Sequence, residues 1–146
     1  MDKTILVATV RARLSDKVAN LEKIIAETRA ANNDTKSSMG DKYETSREMV
    51  QQEINNLQRQ LNECLEQQNS TAKLSPEPCT EAKFGALVET GSGFFYVVSS
   101  VGVIETQGVK IHTISPASPI AKAMHGKSKE QIFTMNGISQ TVKNIY

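Results

Sequence analysis

The 146-residue chain has no tryptophan, and aromatic residues make up only 5% of it. So few rings leave little from which to build a large aromatic-lined pocket. There are two cysteines, Cys64 and Cys79, far apart and outside any C-x-x-C or His/Cys cluster, which excludes the usual zinc-site spacing. Two reduced thiols are the simpler reading of the pair. No apolar run approaches the roughly 20 residues of a membrane span. The run Ile5-Leu6-Val7-Ala8, closely followed by Arg11 and Arg13, is too short for the core of a signal peptide. An excess of one charge is lacking as well: 17 Lys and Arg face 16 Asp and Glu. A general nucleic-acid binder usually carries a basic excess, so that class is disfavoured. These absences lead us to expect a soluble cytoplasmic protein of one domain or two small ones.

Glycine and proline are unevenly scarce. Residues 1–68 hold one glycine, Gly40, and no proline, and they are rich in Glu, Gln, Lys, Arg, Ala and Leu. With few breakers and many helix formers, this half reads as helix. Apolar side chains fall at Val7, Val10, Leu14, Val18, Leu21 and Ile25, with steps of three and four, and the first helix is expected to end near Ala30. A second stripe runs through Tyr43, Val50, Ile54, Leu57, Leu61 and Cys64 or Leu65. Both are narrow, coiled-coil-like seams with polar flanks. The short connection, with its tip near 34–43, favours an antiparallel helical hairpin in which each helix covers the other. At about 1.5 Å per residue the rod is roughly 40 Å long. From periodicity alone, a dimerisation coiled coil stands beside a partner-reaching rod.

Residues 69–82, "NSTAKLSPEPCTEA", are polar, contain Pro76 and Pro78, and read as a linker. Residues 83–146 hold seven of the eight glycines and most of the aromatic and β-branched residues. "GALVET", "FFYVVSS" and "VKIHTI" read as strands. "QIFTM" and "ISQTVKNIY" read as a hairpin closed by Asn136-Gly137. Ser118 as N-cap, Pro119 at the first helical position and Gly126 as the stop define a short helix over 119–125. Its apolar side, Ile120, Ala121 and Met124, should lie on the sheet. The expected fold class is α+β: an N-terminal helical hairpin over 1–68, then a small antiparallel sheet domain over 83–146 with one short helix.

The chemistry-bearing candidates cluster at the hairpin tip, "TKSSMGDKYETS". Asp41 and Glu44 stand three apart at a helix start. That spacing suits a capping box, in which each side chain serves a backbone N–H of the first turn. The same carboxylates would also suit a hard cation such as Mg²⁺. Tyr43 reads as a seam residue sealing the hairpin end or as a partner contact. Lys122 and Lys127 read as solvated surface residues or as contacts to an acidic patch. His125, just before the stop glycine, suits the negative end of the short helix.

The segments "FGALVET", "FYVVSS" and Ser118-Pro119-Ile120-Ala121-Lys122-Ala123-Met124-His125-Gly126-Lys127 resemble the C-terminal domain of the Gre transcript-cleavage factors of bacterial RNA polymerase. That domain is FKBP-like in fold. Tyr43, Arg47 and Glu48 match a Tyr-x-x-x-Arg-Glu pattern just after that family's hairpin tip, so the resemblance covers nearly the whole chain. It implies an elongation factor whose hairpin enters the polymerase's secondary channel. Tip acids there help hold a second Mg²⁺ at the polymerase's own active site and promote hydrolysis of backtracked RNA. The chain would then be no enzyme itself, would carry no cofactor alone, and would meet nascent RNA only indirectly.

By resemblance, Asp41 and Glu44 are the candidate catalytic and metal-holding acids, with Asp34 as the alternative, and Tyr43, Lys122 and Lys127 are candidate polymerase contacts. Aligned without gaps on Tyr43, the family's two tip acids fall at Lys36 and Met39, and its Gly-Asp after Gly-Lys is replaced by Ser128-Lys129-Glu130. A non-cleaving secondary-channel regulator is therefore the first alternative. A coiled-coil adaptor, or an FKBP-like module with prolyl isomerase activity, is the second. The aromatics of the C-terminal half, several at alternating strand positions, speak against an isomerase pocket.

Overall fold

The computed structural model describes residues 2–35 and 44–146, with side chains for 2–32 and 46–146. The fold is α+β. Two long helices, α1 (Thr4–Thr35) and α2 (Glu44–Thr71), precede six strands and one short helix. The strands are β1 (Leu87–Thr90), β2 (Gly93–Val97), β3 (Val103–Thr106), β4 (Val109–Ile114), β5 (Ile132–Met135) and β6 (Ile138–Ile145), and the short helix α3 spans Pro119–Met124. The chain forms two compact units: Leu14–Asn69, and Met1–Arg13 together with Ser70–Tyr146.

The helical unit follows its seams. Val18, Leu21 and Ile25 of α1 form one cluster with Leu61 and Cys64 of α2, and Leu57 packs at its edge. Further along α1, Glu27, Thr28 and Asn32 share a cleft with Ser46, Val50 and Glu53 of α2. Rising numbers on α1 thus meet falling numbers on α2, so the helices are antiparallel. Of the two candidates for the last seam position, Cys64 is buried at 2% exposure while Leu65 is 39% exposed. The seven-residue repeat of a two-helix seam fits this: Cys64 follows Leu57 by seven, whereas Leu65 follows it by eight.

The other unit is a six-stranded sheet in the order β3-β4-β2-β1-β6-β5. Alternating strand residues give it two apolar faces. On one, Val88, Val97, Phe133 and Val142 form a core with Ala121 and Met124 of α3, and Ile120 packs against it. Burying a side chain of this size contributes about 1.5–3 kcal/mol. The opposite face carries Leu87 and Tyr96, which are cross-strand partners, and Ile111; all three are fully buried. Lys3, just before α1, and Leu6, Val7 and Val10, from its first turns, are buried in the same unit.

The β5–β6 hairpin forms at the expected place, with left-handed Asn136 and Gly137 (φ 53° and 76°) in its two-residue turn. Two features depart from the expected sheet. Four of the five strand pairings are antiparallel, but β2 and β4 pair in parallel, with Phe95 opposite His112. The sheet is therefore mixed. Its parallel pair is made possible by β3, an additional strand not expected from the sequence, which carries the chain back so that β4 runs alongside β2. β3 turns into β4 through Gln107-Gly108, both at positive φ (52° and 75°), a hairpin signal resting on a less familiar residue pair than Asn-Gly.

Candidate functional site

The tip residues Asp41 and Tyr43, and the side chains of Asp34 and Glu44, lie outside the described residues. α2 begins at Glu44, so the described helix starts at one of the two candidate acids. The cleft beside the start of α2 has a volume of about 400 Å³ and is bordered by Glu27 and Glu53. Among the described residues, no group of three or more His, Cys, Asp and Glu is placed to hold a metal ion. No described helix is long and apolar enough to cross a membrane.

The Ser118–Lys127 segment folds as its spacing demands. The Ser118 hydroxyl accepts from the Ala121 N–H at 3.3 Å and donates to the Ser115 carbonyl at 2.6 Å, fixing both sides of the helix start. Pro119 occupies the first turn, where a missing N–H costs nothing. Gly126 takes φ 76°, and its N–H leaves the helix to reach the Ala82 carbonyl at 2.8 Å. The Ala82 N–H returns to the Lys127 carbonyl at 2.8 Å. The stop glycine and the lysine after it are thereby stitched to the strand-like segment that enters the sheet. Lys122 is exposed on the last turn of α3, Lys127 is half-buried, and His125 is exposed. Of the aromatics, Tyr96 and Phe133 are spent on the core and are not free to line a pocket.

A second constellation was not apparent in the sequence. Lys3 is only 1% exposed. Its Nζ donates to the Gly85 carbonyl at 2.9 Å and to the main-chain oxygen of Tyr146 at 3.0 Å, and lies 3.7 Å from Cys79 Sγ. Burial lowers the Lys3 pKa from its ordinary value; the neighbouring Cys79 and Glu77 oppose that shift and Lys83 adds to it. The Tyr96 hydroxyl has no hydrogen-bond partner among the described residues. Its pKa is pushed up to about 12, chiefly by burial and then by Cys79, against a smaller opposing effect of Arg11.

Arg11 Nη2 donates to the carbonyls of Thr71, Ala72 and Leu74 at 3.3, 3.2 and 3.2 Å, placing a cation on the open carbonyls at the end of α2. Arg13 Nη1 donates to the Val101 and Val103 carbonyls at 2.9 and 2.8 Å and pins the entry to β3. One sequence signal would have found Lys3: it precedes Val7 by four residues, so a charge stands on the apolar stripe itself.

No protein-family model matches the sequence, and no curated protein matches it. Solved structures do resemble it. A structure of the transcription factor Gfh1 is 17% identical, with a TM-score of 0.42, over 93% of this chain and 92% of that one. GreA factor homolog 1 of Thermus thermophilus is 17% identical, with a TM-score of 0.40, over 93% and 94% of the two chains. Thermus aquaticus Gfh1 is 17% identical, with a TM-score of 0.36, over 92% of each. These are distant likenesses that span nearly the whole of each chain.

Proposed function

We propose that the protein is a Gre-like transcription elongation factor that binds bacterial RNA polymerase through its secondary channel and modulates backtracked complexes. The observation that carries this reading is the Ser118–Lys127 segment. Its sequence resembles the family's most recognisable motif, and three of the motif's residues do distinct structural jobs: Ser118 caps, Pro119 starts and Gly126 stops α3. The antiparallel α1–α2 pair supports it, being a slender element whose length suits insertion.

In this reading the hairpin tip is delivered into the polymerase, and the sheet unit docks outside through lysines such as the exposed Lys122 and the half-buried Lys127. Asp41 and Glu44, with Asp34 as the alternative donor, supply carboxylates toward a second Mg²⁺ at the polymerase's active centre. Such an ion would help activate water and stabilise the leaving oxygen. Hydrolysis remains the polymerase's own, and this chain is not itself the enzyme. A factor that occupies the channel without promoting cleavage is the second reading, favoured by Lys36 and Met39 at the family's acid positions.

RNA release from stalled, backtracked complexes in Mg²⁺ separates the two. Cleavage stimulated by the wild type and lost in the Asp41→Ala/Glu44→Ala variant supports the first. Equal inertness of both proteins, with polymerase still bound, supports the second. Failure to bind core polymerase removes both.

A further inference from the structure

We propose that Cys79 and Lys3 form a peroxide-responsive modification site, in which oxidation of the thiol leads to a covalent sulfur–nitrogen link between residue 79 and the buried lysine. The site is independent of the polymerase reading.

Three observations converge on it. The first is direction. Lys3 Nζ has three positions besides its bond to the side chain, and three groups surround it: the Gly85 carbonyl, the Tyr146 main-chain oxygen and Cys79 Sγ. As an ammonium it donates to all three. As a neutral amine its two N–H groups serve the two oxygens, and its lone pair is left facing the sulfur. The amine is therefore held as a nucleophile toward Cys79 at 3.7 Å. Burial favours that neutral form.

The second is access. Cys79 is half-buried, so a small oxidant reaches it, whereas Cys64 is buried in the helical seam. The third is the Tyr96 hydroxyl. It is fully buried, lacks a hydrogen-bond partner among the described residues, and has Cys79 among the groups that shift its pKa. A hydroxyl in that state can donate to an oxygen newly placed on the sulfur.

The chemistry balances with hydrogen peroxide as the only added reactant. The sulfur electron pair attacks one peroxide oxygen; the S–O bond forms, the O–O bond breaks, and the departing hydroxide takes the thiol proton as water. Sulfur is oxidised and peroxide reduced, giving the sulfenic acid. The Lys3 lone pair then attacks that sulfur. The N–S bond forms, the S–O bond breaks, and the hydroxide leaves with a proton from nitrogen as a second water. The product is a sulfenamide that a thiol reductant reverses. It adds a covalent tie between Lys3, just before α1, and the segment that enters the sheet, where only hydrogen bonds and packing hold the two in the reduced protein.

The test is peptide mass mapping of the full chain after hydrogen peroxide, with free thiols blocked before digestion. The expected product joins the Lys3 and Cys79 peptides, is lighter than their sum by two hydrogens, and separates on reduction. In Lys3→Arg the link is absent, and Cys79 accumulates oxygen that a sulfenic-acid trap captures. Should Lys3→Arg fold poorly, Tyr96→Phe supplies the second variant, with slower formation of the same link. The proposal is overturned if wild-type Cys79 gains only oxygen, stays unmodified, or pairs instead with Cys64.

Discussion

Lys3 shows how one side chain changes the meaning of a helical stripe. Its spacing continues the apolar seam of α1, yet it buries an amine where an aliphatic residue would be expected. Two oxygens and a sulfur offset part of the cost of desolvation. Because the folded-state pKa lies below the ordinary lysine value, the folded protein holds fewer protons than the unfolded chain between those two values. The Lys3 contribution to stability should therefore rise with pH through that window and level off above the unfolded lysine pKa, whereas Tyr96, its pKa raised to about 12, acts in the opposite sense above its ordinary value. Urea denaturation between pH 7 and pH 11 is expected to show this rise in the wild type and to lose it in Lys3→Met. That variant should also be less stable at pH 7 by about 2 kcal/mol, since the buried Gly85 carbonyl loses its donor. Asp2 changes stability with pH in the same direction as Lys3, at the acid end of the range. Its exposed carboxylate accepts the Thr4 N–H at 2.9 Å and its pKa is lowered, so its contribution is present above the ordinary carboxylate range and fades as the pH falls.

At the scale of elements, α3 is built almost wholly from local signals. Ser118→Ala removes the cap on the Ala121 N–H and the bond to Ser115 together, and should cost about 1 kcal/mol, read as a lower denaturation midpoint with an unchanged slope. What was legible in the sequence was what depends on neighbours a few residues away. The α1 stripe from Val7 to Ile25 is buried along its length, α3 lies within a residue of its expected span, and Asn136-Gly137 closes the β5–β6 hairpin. The rest depends on distant partners. Alternation tells which strand residues share a face but not which strand lies beside which, so the parallel β2–β4 pair was hidden. Arg11 and Arg13 resemble ordinary solvated cations in sequence, yet both are spent on main-chain carbonyls about 60 and 90 residues away. The tip acids were singled out by residue type and by resemblance, and Asp41, Tyr43 and the side chains of Asp34 and Glu44 lie outside the described residues.

For the whole molecule, the near-neutral charge conceals an asymmetry. The sheet unit carries ten Lys and Arg against six Asp and Glu, whereas the helical unit carries seven against ten. A basic unit suits docking on an acidic protein surface, with most of the effect in the rate of association. In the proposed function, Lys122→Glu/Lys127→Glu should weaken polymerase binding by roughly tenfold at low salt and by less as salt rises, measured as association rates over a salt series.

In the proposed function, the segment between α1 and α2 enters the polymerase. The most direct test is a photo-activated cross-linker at Ser38 in the complex with purified bacterial core RNA polymerase. A saturable complex and a cross-link to the polymerase subunit that holds the catalytic Mg²⁺ are expected. A chain that binds no polymerase, or that binds while Ser38 cross-links only to the outer surface, would contradict it.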